Sequence, residues 1–376
     1  MASAIDHEMM SRALQLARKG LYTTMPNPRV GCVIMKDGEI VGEGFHERSG
    51  ESHAEVHALN MAGDKAEGAT AYVTLEPCSH FGRTPPCAEA LIKAKVERVV
   101  AAMEDPNPLV SGRGMNRLRD AGILVESGVL EAQAKALNPG FIKKMVSGQP
   151  YVRLKLAMSL DGRTAMESGE SQWITGPAAR SEVQQLRAQS GAVITGVGSI
   201  LQDNSSLTVR AEELGLPDAE KLARKQPLRV VLDSFLKTPV DANVVTGPGK
   251  VLIVCTDQAE QNRQAELEAA GAEVLRLPSN AGQVDLQALM SELARRDCLE
   301  VLLETGATLA GAAVKEGLVD ELIVFMAPVL MGSAARPLLT MPFQSMSEKL
   351  DLNITDIRAI GGDWKVTATF KEKTDN

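Results

Sequence analysis

The feature that most constrains this chain is a set of four side chains, His53, Glu55, Cys78 and Cys87, whose chemistry requires them to converge. His53-Ala54-Glu55 stands at a predicted helix start, and Glu76-Pro77-Cys78 is followed, after eight intervening residues, by Cys87. One imidazole and two thiolates give a tetrahedral zinc three protein ligands and keep its fourth position for water. That is the pattern of a catalytic site; a structural one closes the shell with a fourth residue. Zinc draws the pKa of such a water toward ~7. Glu55, two residues past a ligand, is expected to take the water's proton and pass it to a ring nitrogen and then to a leaving amine. Taken singly, each residue is more simply a core or surface side chain; the four in this order favour zinc. His57, one turn from His53, competes as a ligand. Cys32 and Cys255 lie in apolar strands and Cys298 has no motif around it, so all three are expected to be core fillers.

The 376 residues suggest two domains, divided near Val146-Ser147-Gly148-Gln149-Pro150 into 1–146 and 147–376. A formal charge of −8 without a long basic run argues against nucleic-acid binding. No apolar stretch approaches the ~18–20 residues that span a bilayer, and the opening MASAIDHEMM has no signal-peptide pattern. Five cysteines make an odd count and no disulfide framework, which points to the cytoplasm.

In the first domain, helical spacing runs from His7 to Lys19. Val30–Met35 and Ile40–Phe45 read as strands joined at Gly38, Ala54–Met61 as a helix and Ala69–Leu75 as a strand. Pro86–Lys95 is a predicted helix with proline in its first turn, and Val99–Met103 a strand. The second domain has strands at Tyr151–Met158, Ala192–Thr195, Arg229–Leu232, Val251–Cys255, Leu299–Leu303 and Glu321–Met326, and helices at Ala178–Gln189 and Gly306–Glu316; a polar tail begins at Glu372. Alternating β and α segments predict two different α/β domains. Gly196-Val197-Gly198 reaches Leu201 where a third glycine would stand, so no dinucleotide fingerprint is present. Gly306-Ala307-Thr308-Leu309-Ala310-Gly311 opens a helix after an apolar strand. It is a candidate pyrophosphate site built from free N–H groups, or plain helix packing.

His53-Ala54-Glu55 and Pro77-Cys78 resemble the zinc-deaminase signature H-x-E…P-C-x-x-C, with a longer gap between the cysteines. Together with Pro26-Asn27-Pro28-Arg29-Val30-Gly31 and the run Ser79-His80-Phe81-Gly82-Arg83-Thr84-Pro85-Pro86-Cys87, they resemble the deaminase of riboflavin biosynthesis. Leu154–Ala165, Ser171-Gln172-Trp173-Ile174-Thr175-Gly176, Leu207-Thr208-Val209-Arg210 and Glu304–Gly311 resemble the matching reductase. The chain is similar, from about residue 7 to about 340, to the bifunctional deaminase–reductase family of that pathway.

The resemblance implies a cytidine-deaminase-like α/β/α domain and a dihydrofolate-reductase-like α/β domain. It implies zinc on His53, Cys78 and Cys87, Glu55 as proton shuttle, and substrate contact by Asn27, His80 and Arg83. It further implies NADPH beside Ala157, Trp173, Ser199, Asp203, Ser234 and Gly306, and a phosphoribosyl pyrimidine beside Ser171, Arg187, Leu207, Arg210 and Glu304. Lys155 is expected to polarise the sugar, and association into a homo-oligomer follows the family habit. The plainer alternatives are turn structure for Asn27, core packing for Trp173 and solvation for the arginines. Rival readings are a nucleoside or tRNA deaminase fused to another domain, and a non-catalytic zinc module, which would need a fourth ligand.

Overall fold

A computed structural model describes residues 2–79, 86–108 and 110–371. The chain divides into two compact units, Met1–Gly148 and Gln149–Asn376.

The first unit runs α1 (Ala4–Arg18), β1 (Gly31–Lys36), β2 (Glu39–Phe45), α2 (Ala54–Ala62), β3 (Thr70–Val73), α3 (Cys87–Lys93), β4 (Arg98–Ala101), α4 (Arg113–Asp120), β5 (Leu124–Ser127), α5 (Glu131–Leu137) and α6 (Pro139–Ser147). Its sheet has the order β2-β1-β3-β4-β5. β1 pairs antiparallel with β2 and β3, and the rest is parallel. Side chains alternate across each strand, and both faces are covered. Cys32, Ile34, Ala71, Val73 and Val99 pack with α2, α3 and α4. Val33, Tyr72 and Val100 pack with α1 and α5. Strands buried on both faces read as unbroken apolar runs, which is why they are recognisable in the sequence. Gly42 and Gly44 let α2 lie directly on β2. A Cβ there would stand 2.2 Å from the Ala58 carbonyl and 2.4 Å from that of Ala54. This close approach sets where α2, and so His53 at its N-cap, begins.

The second unit is built on a nine-stranded sheet. In sheet order its strands are Glu273–Arg276, Val251–Cys255, Leu228–Leu232, Ala192–Gly196, Glu300–Glu304, Tyr151–Ser159, Glu321–Ala327, Asp363–Phe370 and Leu352–Ile360. The first seven are parallel, and the last two add as an antiparallel hairpin. Adjacent residues again serve opposite cores: Val230, Leu252 and Leu303 face one, and Val231, Ile253 and Leu302 the other.

Three ends differ from expectation. The first helix starts at Ala4, because Ser3 and Asp6 form a reciprocal capping box. Pro86 is the N-cap of α3, not a first-turn residue, with extended ψ of 143°. Gly306 is likewise an N-cap, of the helix Ala307–Lys315. Cys32, Cys255 and Cys298 are buried. The tail from Glu372 lies outside the described residues.

Candidate active sites

The first site assembles where α2 and α3 begin. His53, the N-cap of α2, turns Nδ1 to within 3.6 Å of Cys78 Sγ and 3.3 Å of Cys87 Sγ. A tetrahedral zinc with ordinary Zn–N and Zn–S lengths spaces such donors about 3.6 Å apart, so the donor set fits the ion. Among the described residues these three form a metal-competent group, with all donor atoms within 4.8 Å of one another. His57 does not belong to it. β2 lies against the base of this side chain, a Cβ on Gly44 standing 2.6 Å from that of His57, and Nε2 is buried without a hydrogen-bond partner among the described residues.

Helix ends prepare the sulfurs. Cys87 is the first residue of α3, and its N–H donates to Cys78 Sγ at 3.2 Å. Hydrogen bonding from Cys87, with further support from His53, holds the Cys78 thiol below its ordinary pKa. Positive partial charge at a helix start acts in the same direction. Cys78 in turn raises the pKa of His53. Glu55 lies in the first turn of α2, 3% exposed, and burial together with the charge on Cys78 pushes its carboxyl up to about 7.

His46 supplies a support that its residue type alone did not announce. Its ring meets that of His53 edge-on, with centroids 5.5 Å apart. Nδ1 faces the Ser52 carbonyl at 3.0 Å and must donate to it; Nε2 then accepts from Asn27 Nδ2 at 3.1 Å. This tautomer, assigned from the bonding pattern, ties the amide nitrogen of Asn27 and leaves Oδ1 as the end not held by His46. His80 and Arg83 lie outside the described residues.

The second site is a cavity of about 650 Å³ in the other unit. Lys155 and Ala157, two apart on one strand, share the face that lines it. Glu304 is the register partner of Lys155 on the neighbouring strand. The short helix Val197–Asp203 brings Ser199 and Asp203, and Ser171, Leu207 and Arg210 come from loops. Trp173 lines the cavity too and is 67% exposed, so core packing is not its role; the Arg180 guanidinium lies 4.7 Å from its ring centroid. Gly306 and the first turn of Ala307–Lys315 also face the cavity, and among the described residues no side chain caps that helix. Gly311 does not join them: a Cβ there would meet the Thr340 carbonyl at 2.4 Å, so this glycine serves packing.

Arg187 is not a solvated helix residue: Nε and one terminal nitrogen grip Glu304 at 2.6 and 2.9 Å, and the other donates to the Thr208 carbonyl at 2.9 Å. Arg210 is similarly paired with Glu213. Ser234 is not brought to the cavity lining. It follows the strand Leu228–Leu232, is buried, and turns its hydroxyl to Gln283 at 3.3 Å. Burial lowers the pKa of Lys155, opposed by Glu304 and reinforced by Arg187. Thr195, on the strand Ala192–Gly196, is fully buried and lines the cavity, a position that an apolar strand does not signal in the sequence, and its hydroxyl has no partner among the described residues.

Residues 3–103 match the cytidine and deoxycytidylate deaminase zinc-binding region, and residues 150–366 match the RibD C-terminal domain. The riboflavin biosynthesis protein RibD of Escherichia coli (strain K12) is 51% identical over 364 residues, covering 95% of this chain and 97% of its own. That of Bacillus amyloliquefaciens is 46% identical over 374 residues, covering 99% and 98%. Among solved structures, Acinetobacter baumannii RibD, form 1, superposes with a TM-score of 0.89 at 47% identity, covering 98% of this chain and 99% of that one. A Thermotoga maritima diaminohydroxyphosphoribosylaminopyrimidine deaminase/5-amino-6-(5-phosphoribosylamino)uracil reductase gives a TM-score of 0.84 at 32% identity, with the same coverage. No helix among the described residues is long and apolar enough to cross a membrane.

Proposed function

The chain belongs to the RibD family of riboflavin biosynthesis proteins, and on that premise we propose a role for each side chain in its two reactions. It is a bifunctional enzyme. A zinc-dependent deaminase hydrolyses diaminohydroxyphosphoribosylaminopyrimidine to 5-amino-6-(5-phosphoribosylamino)uracil and ammonia, and a reductase then converts the ribosyl group to ribityl.

In the deaminase, His53 through Nδ1, Cys78 and Cys87 would hold the zinc, which when bound would supply acidity to a water, toward pKa ~7. Glu55 would carry the first proton of the attacking water to the ring nitrogen and the second, from the hydroxyl left on the ring carbon, to the departing amine. Asn27, its amide set by His46, offers Oδ1 to a substrate N–H. The spacing of the three donor atoms is the observation that carries this reading.

In the reductase, NADPH, when bound, would supply the hydride. Ala157, Trp173, Ser199 and Asp203 line its place, and the uncapped first turn after Gly306 offers N–H groups to its pyrophosphate. Ser171, Leu207, Arg210 and the Arg187–Glu304 pair meet the substrate, and Lys155 polarises the sugar. A second copy of the chain covers Ile354, Ile357 and Trp364, exposed apolar residues on the edge hairpin of the nine-stranded sheet, and the enzyme works in the cytoplasm on small molecules.

The test is to give purified protein the diaminopyrimidine phosphate with NADPH. Ammonia release followed by NADPH oxidation, the second depending on the first, is expected; NADPH oxidation without ammonia release would sink the ordering of the two steps.

A further inference from the structure

Glu76, two residues before a sulfur ligand, is 3% exposed and makes no ion pair among the described residues. Among the described residues its carboxylate bonds only to backbone. Oε1 accepts from Gly114 N at 2.8 Å and Met115 N at 3.3 Å, and Oε2 from Asp105 N and Gly112 N at 3.0 Å each. Three of these donors belong to the start of α4, whose N-cap is Gly112, a residue with no side chain to do the capping itself. The cap therefore comes from a distant strand exit. Charge-assisted bonds of this kind are about twice as strong as neutral ones, and the carboxylate sits on the positive end of the helix. The contact is close on the other side as well. A Cβ on Gly114 would stand 1.9 Å from the Pro77 carbonyl, so α4 is seated directly on the peptide that leads into Cys78. Beyond it, Cys78 receives the N–H of Cys87 on its sulfur and that of Ala88 on its carbonyl.

We propose that Glu76 is the positioning residue of the metal centre. Its carboxylate locks the Pro77-Cys78 segment between α4 and α3, and so fixes the Cys78 sulfur before metal arrives. Pro77 admits little adjustment at this point because its ring holds φ. Once Glu76 is anchored, the path to Cys78 has few free torsions. Without the clamp, α4 loses its cap and the sulfur ligand gains freedom that metal binding must then remove.

This inference rests on His53, Cys78 and Cys87 being the zinc ligands. The test compares the wild-type full chain with Glu76→Gln, an isostere that replaces an acceptor oxygen by a donor. Zinc affinity is measured by competition with a chromophoric chelator, melting temperature with and without zinc, and the near-ultraviolet thiolate-to-metal band after cobalt substitution. Expected are a 10- to 100-fold loss of zinc affinity, the range for removing an outer support of a metal ligand, a smaller zinc-induced rise in melting temperature, and a displaced or weakened cobalt band. A variant whose metal-free form melts lower, yet whose zinc affinity, zinc-induced rise and cobalt band equal those of wild type, reduces Glu76 to a helix cap and overturns the proposal. If Glu76→Gln is insoluble, Glu76→Asp, which keeps the charge and withdraws it by one methylene, carries the same measurements with the same two outcomes. Wild-type protein that binds no zinc would instead overturn the ligand assignment beneath it.

Discussion

In the roles proposed above, Glu55 carries the proton of the deamination and Lys155 polarises the sugar in the reduction, and each can be altered without changing its bulk. Glu55 is buried at the first turn of α2 beside the sulfur of Cys78. Glu55→Gln keeps the volume and removes the proton carrier. Ammonia release should fall by about 10²- to 10⁴-fold, while zinc content and reduction of the uracil intermediate stay at wild-type levels. Deamination at an undiminished rate in zinc-replete variant protein would exclude Glu55 as the shuttle. Lys155 stands in register with Glu304, which is itself gripped by Arg187. Lys155→Met preserves the reach of the side chain and deletes its charge; the reduction rate should drop at least tenfold with NADPH binding retained, and an unchanged rate disposes of the polarising role. Candidates of this kind are suggested by the sequence because residue type itself carries the chemistry. Glu76 resisted such reading because its partners are backbone N–H groups, which any non-proline residue supplies. The Arg187–Glu304 pair resisted it because 117 positions separate the two.

Between elements, one network ties α1 to the sheet. The Asp6 carboxylate, 2% exposed, accepts from Ser3 N within the capping box, from Tyr72 Oη on β3 and twice from Arg98 on β4. The Arg98 guanidinium holds its pKa well below the usual carboxylate range. Since the folded-state value is depressed, the stabilisation is complete above the unfolded value of ~3.9 and fades as pH falls toward the folded one. Asp6→Asn should cost the first unit about 2 kcal/mol at pH 7, and the gap from wild type should narrow progressively as pH falls below ~4. Chemical denaturation at several pH values measures it; a gap independent of pH would assign the loss to helix capping alone. Strands covered on both faces, such as Val251–Cys255, were evident as apolar runs. The hairpin Leu352–Phe370 was not. A register shift between Ile354 and Asp356 breaks the alternation of its first strand, and that strand is exposed almost throughout.

At the scale of the whole chain, the edge hairpin gives one expectation and the division of labour another. If a second copy covers Ile354, Ile357 and Trp364, then Ile357→Glu should shift sedimentation toward monomer, and an unchanged association state would place the contact elsewhere. The second expectation follows from where the functional atoms lie. His53, Glu55, Cys78 and Cys87 belong to the unit ending at Gly148, and every residue named for the reduction belongs to the unit beginning at Gln149. No metal-competent group of three His, Cys, Asp or Glu was found among the described residues of the second unit. Stripping zinc with a chelator should therefore abolish ammonia release and leave NADPH oxidation intact when the uracil compound is supplied directly. With the diaminopyrimidine as sole substrate both signals should vanish, because the reductase is deprived of its substrate and not of its own machinery, and restoring zinc should return both. Parallel loss of direct uracil reduction on metal removal would mean that the second unit needs the metal-loaded first one to act, against the separation of the two sites.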